Sequence, residues 1–375
     1  MPKKLAIYIH FPFCTKKCNY CNFYSIPYDA DYVTKFCRSL RKEISNFPIE
    51  KEYVVTSIYI GGGSPSLFPV QEIISIINHI NNNFSLEENL EFTLEVNPYH
   101  VTKDKAINWK LAGVNRISLG AQSFNSNELK ELGRLHNNSH IFSAYESVKN
   151  YCSNNISIDL MYGIPEQTMI SWLNSIEQTI NLKPKHISSY CLKMEKGTYL
   201  EKNKERYTIP GEDKQRNFYY KLKSKLKNHN FMQYEISNFS LPHHHSRHNL
   251  HVWEGKEYIG FGPAAHSFYK MQRVENIDDL DLYIQHVKNT GNGIDNIRKI
   301  DQKEFMEDKL MLGLRLNKGI SIAKFNKEFN INFLHRYSKI IQKYQENGFL
   351  EINDNRLQLT DRALFISNTI ISDFL

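Results

Sequence analysis

Cys14, Cys18 and Cys21 form a CxxxCxxC run directly after a short apolar stretch, Ile7-Tyr8-Ile9-His10-Phe11-Pro12-Phe13. Three thiolates on one tight loop can hold three irons of a cubane cluster. The fourth iron then has no protein ligand and stays open to a small molecule, whereas a closed electron-transfer cluster takes four cysteines. Redox chemistry at an open iron is the first reading of this spacing, and two others stand beside it. Zinc on three cysteines recruits a fourth ligand, and His10 lies four residues upstream of Cys14. A disulfide uses two thiols and leaves the third over.

Gly61-Gly62-Gly63-Ser64-Pro65-Ser66 follows a second apolar stretch. Glycines without a Cβ let a backbone come close to a ligand. The Gly-Lys-Ser/Thr ending of a phosphate loop is absent, and a plain strand–turn–helix corner would also use such a run. Further polar residues stand within or just after later apolar stretches: Glu95, Gln122, Arg134 and Asp159. Asp159 lies inside Ile156-Ser157-Ile158-Asp159-Leu160, where an unpartnered carboxylate would be costly. An Asp159–Arg134 ion pair is the structural solution. As a set, these groups match the ammonium, carboxylate and ribose hydroxyls of a zwitterionic nucleoside.

The elements that must position them alternate. Strands are predicted at Leu5–His10, Ser57–Ile60, Leu90–Val96, Arg116–Leu119, Asn155–Met161 and His186–Tyr190. Helices are predicted at Asp31–Asn46, Val70–Asn82, Lys103–Ala112, His140–Asn150 and Met169–Leu182. Such alternation builds βαβ units and a parallel sheet, here a curved or barrel-like α/β domain over residues 1–210. Ligand-binding residues of that architecture sit at the C-terminal ends of the strands, where the motifs fall. Residues 211–300 read as an α/β extension with a helix at Asp213–Asn228, a strand at Met232–Ile236 and a histidine-rich loop. Residues 301–375 read as a small, mostly helical, winged-helix-like domain. Its helices are Glu304–Leu316, Ile322–Phe329 and Phe333–Glu346. A hairpin turns at Asp354-Asn355, and a final helix runs to Leu375.

With 375 residues, 41% of them apolar, the chain can bury a full core plus an appended domain. No stretch is long and apolar enough to span a bilayer, and the N-terminus does not read as a signal peptide. A reducing, cytoplasmic setting is expected, with peripheral membrane contact left open. Cys37, Cys152 and Cys191 are scattered and read as buried structural thiols. The net charge of +7 is spread along the chain. From Asp301 onward 11 Lys/Arg face 10 Asp/Glu, so the winged-helix-like unit shows no nucleic-acid-binding face and reads as an interaction module.

The combination of CxxxCxxC, Gly61–Ser64, Glu95, Gln122, Arg134 and Asp159 resembles the radical S-adenosylmethionine (SAM) proteins. More narrowly it resembles their porphyrin-related branch, the oxygen-independent coproporphyrinogen III dehydrogenases and the haem chaperones related to them. Tyr234–Phe239, His248–Trp253 and Gly260–Ser267 are similar to the central segments of that branch, and Leu310–Ile320 to the start of its C-terminal domain. The resemblance implies a partial (β/α)6 barrel and a 4Fe–4S cluster on Cys14, Cys18 and Cys21. SAM would chelate the open iron. Tyr8, Gly62 and Glu95 match positions at the first SAM. Tyr20, Gly63, Ser64, Gln122, Arg134 and Asp159 match positions that contact a second SAM in the dehydrogenases.

Two departures favour the chaperones. Cys21 is followed by Asn22-Phe23, where the dehydrogenases carry a further cysteine, and the cluster run starts too early for their N-terminal arm. The chaperones' His-Asn-x-x-Tyr-Trp motif appears as His248-Asn249-Leu250-His251-Val252-Trp253, with Val252 in place of tyrosine. By resemblance His248 is a haem-related residue. His243, His244, His245 and His251 are further imidazoles, and Arg247 suits a propionate. The resemblance implies haem, delivered to haem-dependent proteins by a monomer or dimer. The alternatives are oxidative decarboxylation of coproporphyrinogen III, another radical SAM activity, or a zinc-binding winged-helix regulator.

Overall fold

The computed structural model describes residues 2–375. Six parallel strands in sequential order form the centre of one sheet: β1 (Lys3–Phe11), β2 (Tyr53–Gly62), β3 (Ser85–Val96), β4 (Arg116–Gln122), β5 (Ile156–Tyr162) and β6 (His186–Cys191). Helices α1 (Ala30–Asn46), α2 (Val70–Asn83), α3 (Lys103–Leu111), α4 (Asn138–Tyr151) and α5 (Met169–Leu182) lie between them. Helix α1 shows why the layers adhere. Asp29 caps it by accepting from the Tyr32 amide at 2.9 Å, and Val33, Phe36, Leu40 and Ile44 make one buried stripe. Its partners across the interface include Ile7, Ile9 and Phe11 of β1, all fully buried.

The same sheet continues into the second half of the chain. β7 (Met232–Gln233), β8 (Asn238–Ser240), β9 (Tyr258–Phe261), β10 (His266–Tyr269), β11 (Gln272–Asn276) and β12 (Ile294–Lys299) extend it, giving the order β12-β11-β10-β9-β1-β2-β3-β4-β5-β6-β8-β7. β9 runs parallel to β1, and β8 runs antiparallel to β6. The order is linear, so the barrel is partial and does not close.

Three local expectations are corrected. The strand expected at Met232–Ile236 stops at Gln233, because Tyr234 hydrogen-bonds His186 and Glu235 bridges to Leu316. The expected helix Phe333–Glu346 is broken at Tyr337, whose ring packs on Phe333 at 5.0 Å and on Phe374 at 5.5 Å. The histidine stretch is not a solvated loop throughout, since Arg247–Trp253 is a helix capped by Ser246.

Beyond residue 300, helices Gln302–Arg315, Ile322–Phe329, Phe333–Arg336 and Ser338–Glu346 pack with a three-stranded sheet. Its hairpin turns at Asp354 and Asn355, with φ 47° and 59°, the left-handed pair of a tight hairpin. This region is clamped to the rest by Arg273–Asp308 at 2.5 Å and by Arg315 lying 5.0 Å from the Trp253 ring centroid.

Glu43 ties α1 to the sheet extension. It accepts from Tyr283 Oη at 2.6 Å, Asn276 Nδ2 at 2.7 Å and the Gly262 amide at 2.9 Å, while burial pushes its carboxyl up. Glu43→Ala would strand three buried donors. It is expected to lower unfolding stability by roughly 3 kcal/mol or more in a urea titration. An unchanged midpoint would show that water replaces the carboxylate.

Candidate functional site

The cysteine loop is held at several points. Cys14 ends a two-residue strand that pairs with Ile26–Pro27, and Ser64 Oγ donates to its Sγ at 3.6 Å. The Cys21 amide closes a tight turn on the Cys18 carbonyl at 3.2 Å. Asn19 pins the loop to the 132–134 turn: its amide donates to Leu132 O at 3.0 Å and its Nδ2 to Glu131 O at 2.8 Å. Gly133 (φ 71°) leaves room for this, because a Cβ there would lie 2.6 Å from Asn19 Oδ1. Gly63 does the same on the other side, where a Cβ would stand 2.6 Å from the Phe13 carbonyl. The loop therefore rests on backbone that tolerates no side chain.

Cys14, Cys18 and Cys21 all border one cleft of about 520 Å³ at the C-terminal ends of the strands. Burial pushes the Cys14 thiol up, and the Cys21 thiol up to about 11. Among the described residues, no three His, Cys, Asp or Glu side chains converge as ligands of a single ion. His10 is committed elsewhere: its Nδ1 meets Tyr8 Oη at 3.0 Å and its Nε2 the Tyr24 carbonyl at 2.9 Å. The zinc arrangement with His10 as fourth ligand is thus not built.

The polar residues expected at the strand ends meet in this cleft. Glu95, near the end of β3, accepts from Tyr59 Oη at 2.8 Å and from the Gly62 amide at 3.2 Å. Enclosure pushes its carboxyl up to about 7, and the negative charge of Asp159 adds to the effect. Asp159 on β5 accepts from Ser118 Oγ at 3.0 Å and Ser157 Oγ at 3.2 Å, and enclosure pushes it up to about 6. It does not pair with Arg134, the structural solution weighed above. Arg134 instead donates to Cys18 Sγ at 3.4 Å and to the Gly120 carbonyl at 2.8 Å. Burial opposes its charge, but Cys18 and Tyr20 outweigh that and hold the guanidinium firmly protonated. Gln122 (φ 66°) closes β4 and lines the cleft beside it.

Gly62, Gly63, Ser64 and Tyr20 also line the cleft. Tyr8 does not; it lies behind the wall, its ring 6.3 Å from that of Tyr59. His248 is likewise behind the wall and only 6% exposed, its Nδ1 at 3.1 Å from Ser57 Oγ and its ring 5.0 Å from Tyr59. Burial pushes His248 down to about 3, so it is a neutral imidazole. Its neighbour Asn249 does line the cleft. Reasoning from sequence missed Tyr59, Arg116, Ser118, Ser188 and Tyr190 in the wall.

Both cleft carboxyls bind protons more tightly in the folded chain than in the unfolded one. The folded chain therefore carries extra protons between about pH 4 and 7, and their contribution to stability falls as pH rises through that window. The two together contribute on the order of a few kcal/mol. The urea midpoint of the ligand-free chain is expected to be higher at about pH 5 than at about pH 7.5, with a flatter dependence in Glu95→Gln/Asp159→Asn. Equal slopes in the two chains would refute the assignment.

A sequence model of the Radical SAM superfamily matches residues 8–179, and one of the HemN C-terminal domain matches residues 300–366. The Heme chaperone HemW of Lactococcus lactis is 32% identical over 377 residues, covering 100% of this chain and 98% of that protein. The chain belongs to the HemW family of radical SAM proteins. The HemW protein of Bacillus subtilis is 30% identical, and covers 99% of each chain. The Radical S-adenosyl methionine domain-containing protein 1, mitochondrial, of Danio rerio is 32% identical, over 99% of this chain and 86% of its own. The solved coproporphyrinogen III oxidase (HemN) of Escherichia coli covers 100% of this chain and 90% of its own with a TM-score of 0.87. At 19% identity that is a likeness of fold.

The HemW family implies a 4Fe–4S cluster and SAM, and the cleft suits both. Three thiols share one wall, and Arg134 Nε and Arg116 Nε are buried there without a partner. Two carboxyls that titrate near neutrality, with the firmly protonated guanidinium of Arg134, make a receptor for a ligand carrying both an ammonium and a carboxylate.

Proposed function

We propose that this chain is a haem chaperone that holds a 4Fe–4S cluster on Cys14, Cys18 and Cys21, binds SAM in the adjoining cleft, and passes haem to haem-dependent proteins. The observation that carries the reading is the meeting of those thiols with Glu95, Arg134 and Asp159 in one cleft, in a chain of the HemW family. When bound, such a cluster supplies one-electron reduction chemistry. The chain's own groups bind and orient. Glu95 gives up its proton as an ammonium settles beside it, with Tyr59 Oη and the Gly62 amide holding the carboxylate in place. Arg134 faces a carboxylate, and Asp159 with Ser118 faces hydroxyls or an amine. Glycines at 62 and 63 let the backbone close on the ligand.

Haem engages the His248 segment in this reading. The imidazole is neutral, as an iron ligand must be, but it lies under Tyr59. Haem binding there requires the Arg247–Trp253 helix to shift away from Ser57.

The test uses protein reconstituted with iron and sulfide under anaerobic conditions. It is mixed with haem, then with a haem-free globin, and haem transfer is followed by absorbance. Transfer faster than from free haem, lost in His248→Ala, is expected. The same protein is given SAM, a strong reductant and coproporphyrinogen III. Multiple-turnover formation of protoporphyrinogen IX, or no haem transfer from protein with an intact cluster, would overturn the proposal.

A further inference from the structure

A line of hydrogen bonds leaves the cleft along the inner face of the sheet. Ser157 Oγ touches Asp159 Oδ1 at 3.2 Å and His186 Nδ1 at 2.8 Å. His186 Nε2 meets Tyr234 Oη at 2.8 Å, and Tyr234 Oη accepts from the Ser246 amide at 3.3 Å. Ser246 Oγ in turn caps the Arg247–Trp253 helix by accepting from the Asn249 amide at 3.2 Å. Ser157, His186 and Ser246 are fully buried, and Tyr234 is 7% exposed. Neither pairing in the sheet nor apolar packing requires these side chains. Burying them is affordable only because each is satisfied by the next.

Every link from Asp159 to Tyr234 can reverse. A serine or tyrosine hydroxyl donates and accepts, and a neutral imidazole does so with its two nitrogens exchanged. We propose that Tyr234, His186 and Ser157 form a proton relay to Asp159 that, through the direction of the Tyr234 hydrogen bond, couples the charge of Asp159 to the N-cap of the Arg247–Trp253 helix.

With Asp159 ionised, Tyr234 donates to His186 Nε2, His186 Nδ1–H donates to Ser157, and Ser157 donates to Asp159. To protonate Asp159, one proton enters from solvent at Tyr234. The tyrosine proton passes to Nε2, the Nδ1 proton passes to Ser157, and the serine proton passes to the carboxylate. The sum is one proton taken up and one carboxyl formed. His186 now donates to Tyr234 Oη, where it competes with the Ser246 amide, and the tyrosine proton turns elsewhere. His245 lies beside Tyr234, its ring tilted 41° with centroids 4.5 Å apart, and carries a buried Nε2 without a partner.

The surroundings suit a relay. Asp159 is faced by Arg116 and Ser118 of β4, Ser188 and Tyr190 of β6, Glu95 of β3 and Tyr59 of β2. His186 is faced by Arg116, His244, His245 and Tyr234. Burial holds His186 far below the usual imidazole range, so it passes a proton on without storing charge. Tyr234 is pushed well above the phenol range, so it does not stay ionised.

The test is nitrogen-15 NMR of histidine-labelled full-length protein across a pH titration, with amide exchange of the Arg247–Trp253 helix. His186 is expected to carry its proton on Nδ1 above the Asp159 titration and on Nε2 below it. The protection of the helix amides, relative to their intrinsic exchange at each pH, should fall about three- to tenfold on the acid side, the effect of one weakened neutral hydrogen bond. Asp159→Asn should abolish both pH dependences. Tyr234→Phe should leave the helix amides with the lower protection at every pH; should it fail to fold, wild type and Asp159→Asn decide the matter alone. A His186 tautomer that stays put while the Asp159 carboxyl titrates, or that moves equally in Asp159→Asn, would overturn the relay. For the link to ligand, the proposal rests on SAM occupying the cleft. SAM added to reconstituted protein near pH 6 should shift His186 as a rise in pH does. SAM that binds without moving His186 overturns the coupling. SAM that does not bind refutes the functional reading, while the pH titration still decides the relay.

Discussion

Cys18→Ala protein, reconstituted with iron and sulfide without oxygen, is expected to retain background iron and sulfide only and to lack the brown absorbance of the wild type. Cys18 is firmly placed by the chain: Arg134 donates to its sulfur at 3.4 Å, its carbonyl closes the turn to Cys21, and Asn19 beside it anchors the loop. Cys37 and Cys152 are buried in the core, and burial pushes the latter up to about 12, far from the thiolate a metal needs. Cys191 shares the cleft, so it supplies the stricter control. Its Sγ is engaged by Gln215, donating to Oε1 at 3.2 Å. Cys191→Ser should therefore keep a full complement of iron and sulfide. Full iron in Cys18→Ala, or its loss in Cys191→Ser, would move the cluster away from the three-cysteine loop.

Much of this site was legible in the sequence because strand and motif signals coincide there. Glu95, Gln122 and Asp159 lie at or near the ends of apolar strands, so their place on the barrel's ligand face followed from the βαβ pattern alone. The rest of the wall had a signal too. Arg116, Ser118 and Gln122 alternate along β4, Ser157 and Asp159 along β5, and His186, Ser188 and Tyr190 along β6. Period-two polar residues within apolar strands face one side, and here that side is the cleft and the polar line beneath it. What no local signal carried was pairing across the chain. The Asp159–Arg134 pair was reasonable by charge, yet Arg134 is spent on Cys18 and Asp159 on two serines. His248 was read as a haem-related residue by resemblance of its motif, which says nothing of its burial. The cap at Ser246 winds it into a helix that turns it inward under Tyr59. Strands β9–β12 were also unread: they are short, β11 and β12 are polar, and only pairing with β1 and with each other makes them strands.

Arg134→Met is expected to weaken SAM binding about 100-fold, and Arg134→Lys about tenfold, in anaerobic equilibrium dialysis of reconstituted protein. Arg134 is held on one side by the Gly120 carbonyl at 2.8 Å and on the other by Cys18, leaving Nε buried and unpartnered. Two charge-assisted hydrogen bonds to a carboxylate are together worth about 3 kcal/mol, which is about two decades in affinity. Lysine keeps the charge but not the planar fork, so part of the binding survives. Methionine fills similar volume without charge, and the thermal midpoint should show that the barrel still folds. Because Arg134 also touches Cys18, iron content has to be measured on each variant. If both variants keep their iron and the methionine variant binds SAM as tightly as wild type, Arg134 serves the cysteine loop and the ligand carboxylate lies elsewhere. If the methionine variant loses iron while the lysine variant keeps it, the lysine variant alone reports on the ligand, and a tenfold loss there still assigns Arg134 to the carboxylate.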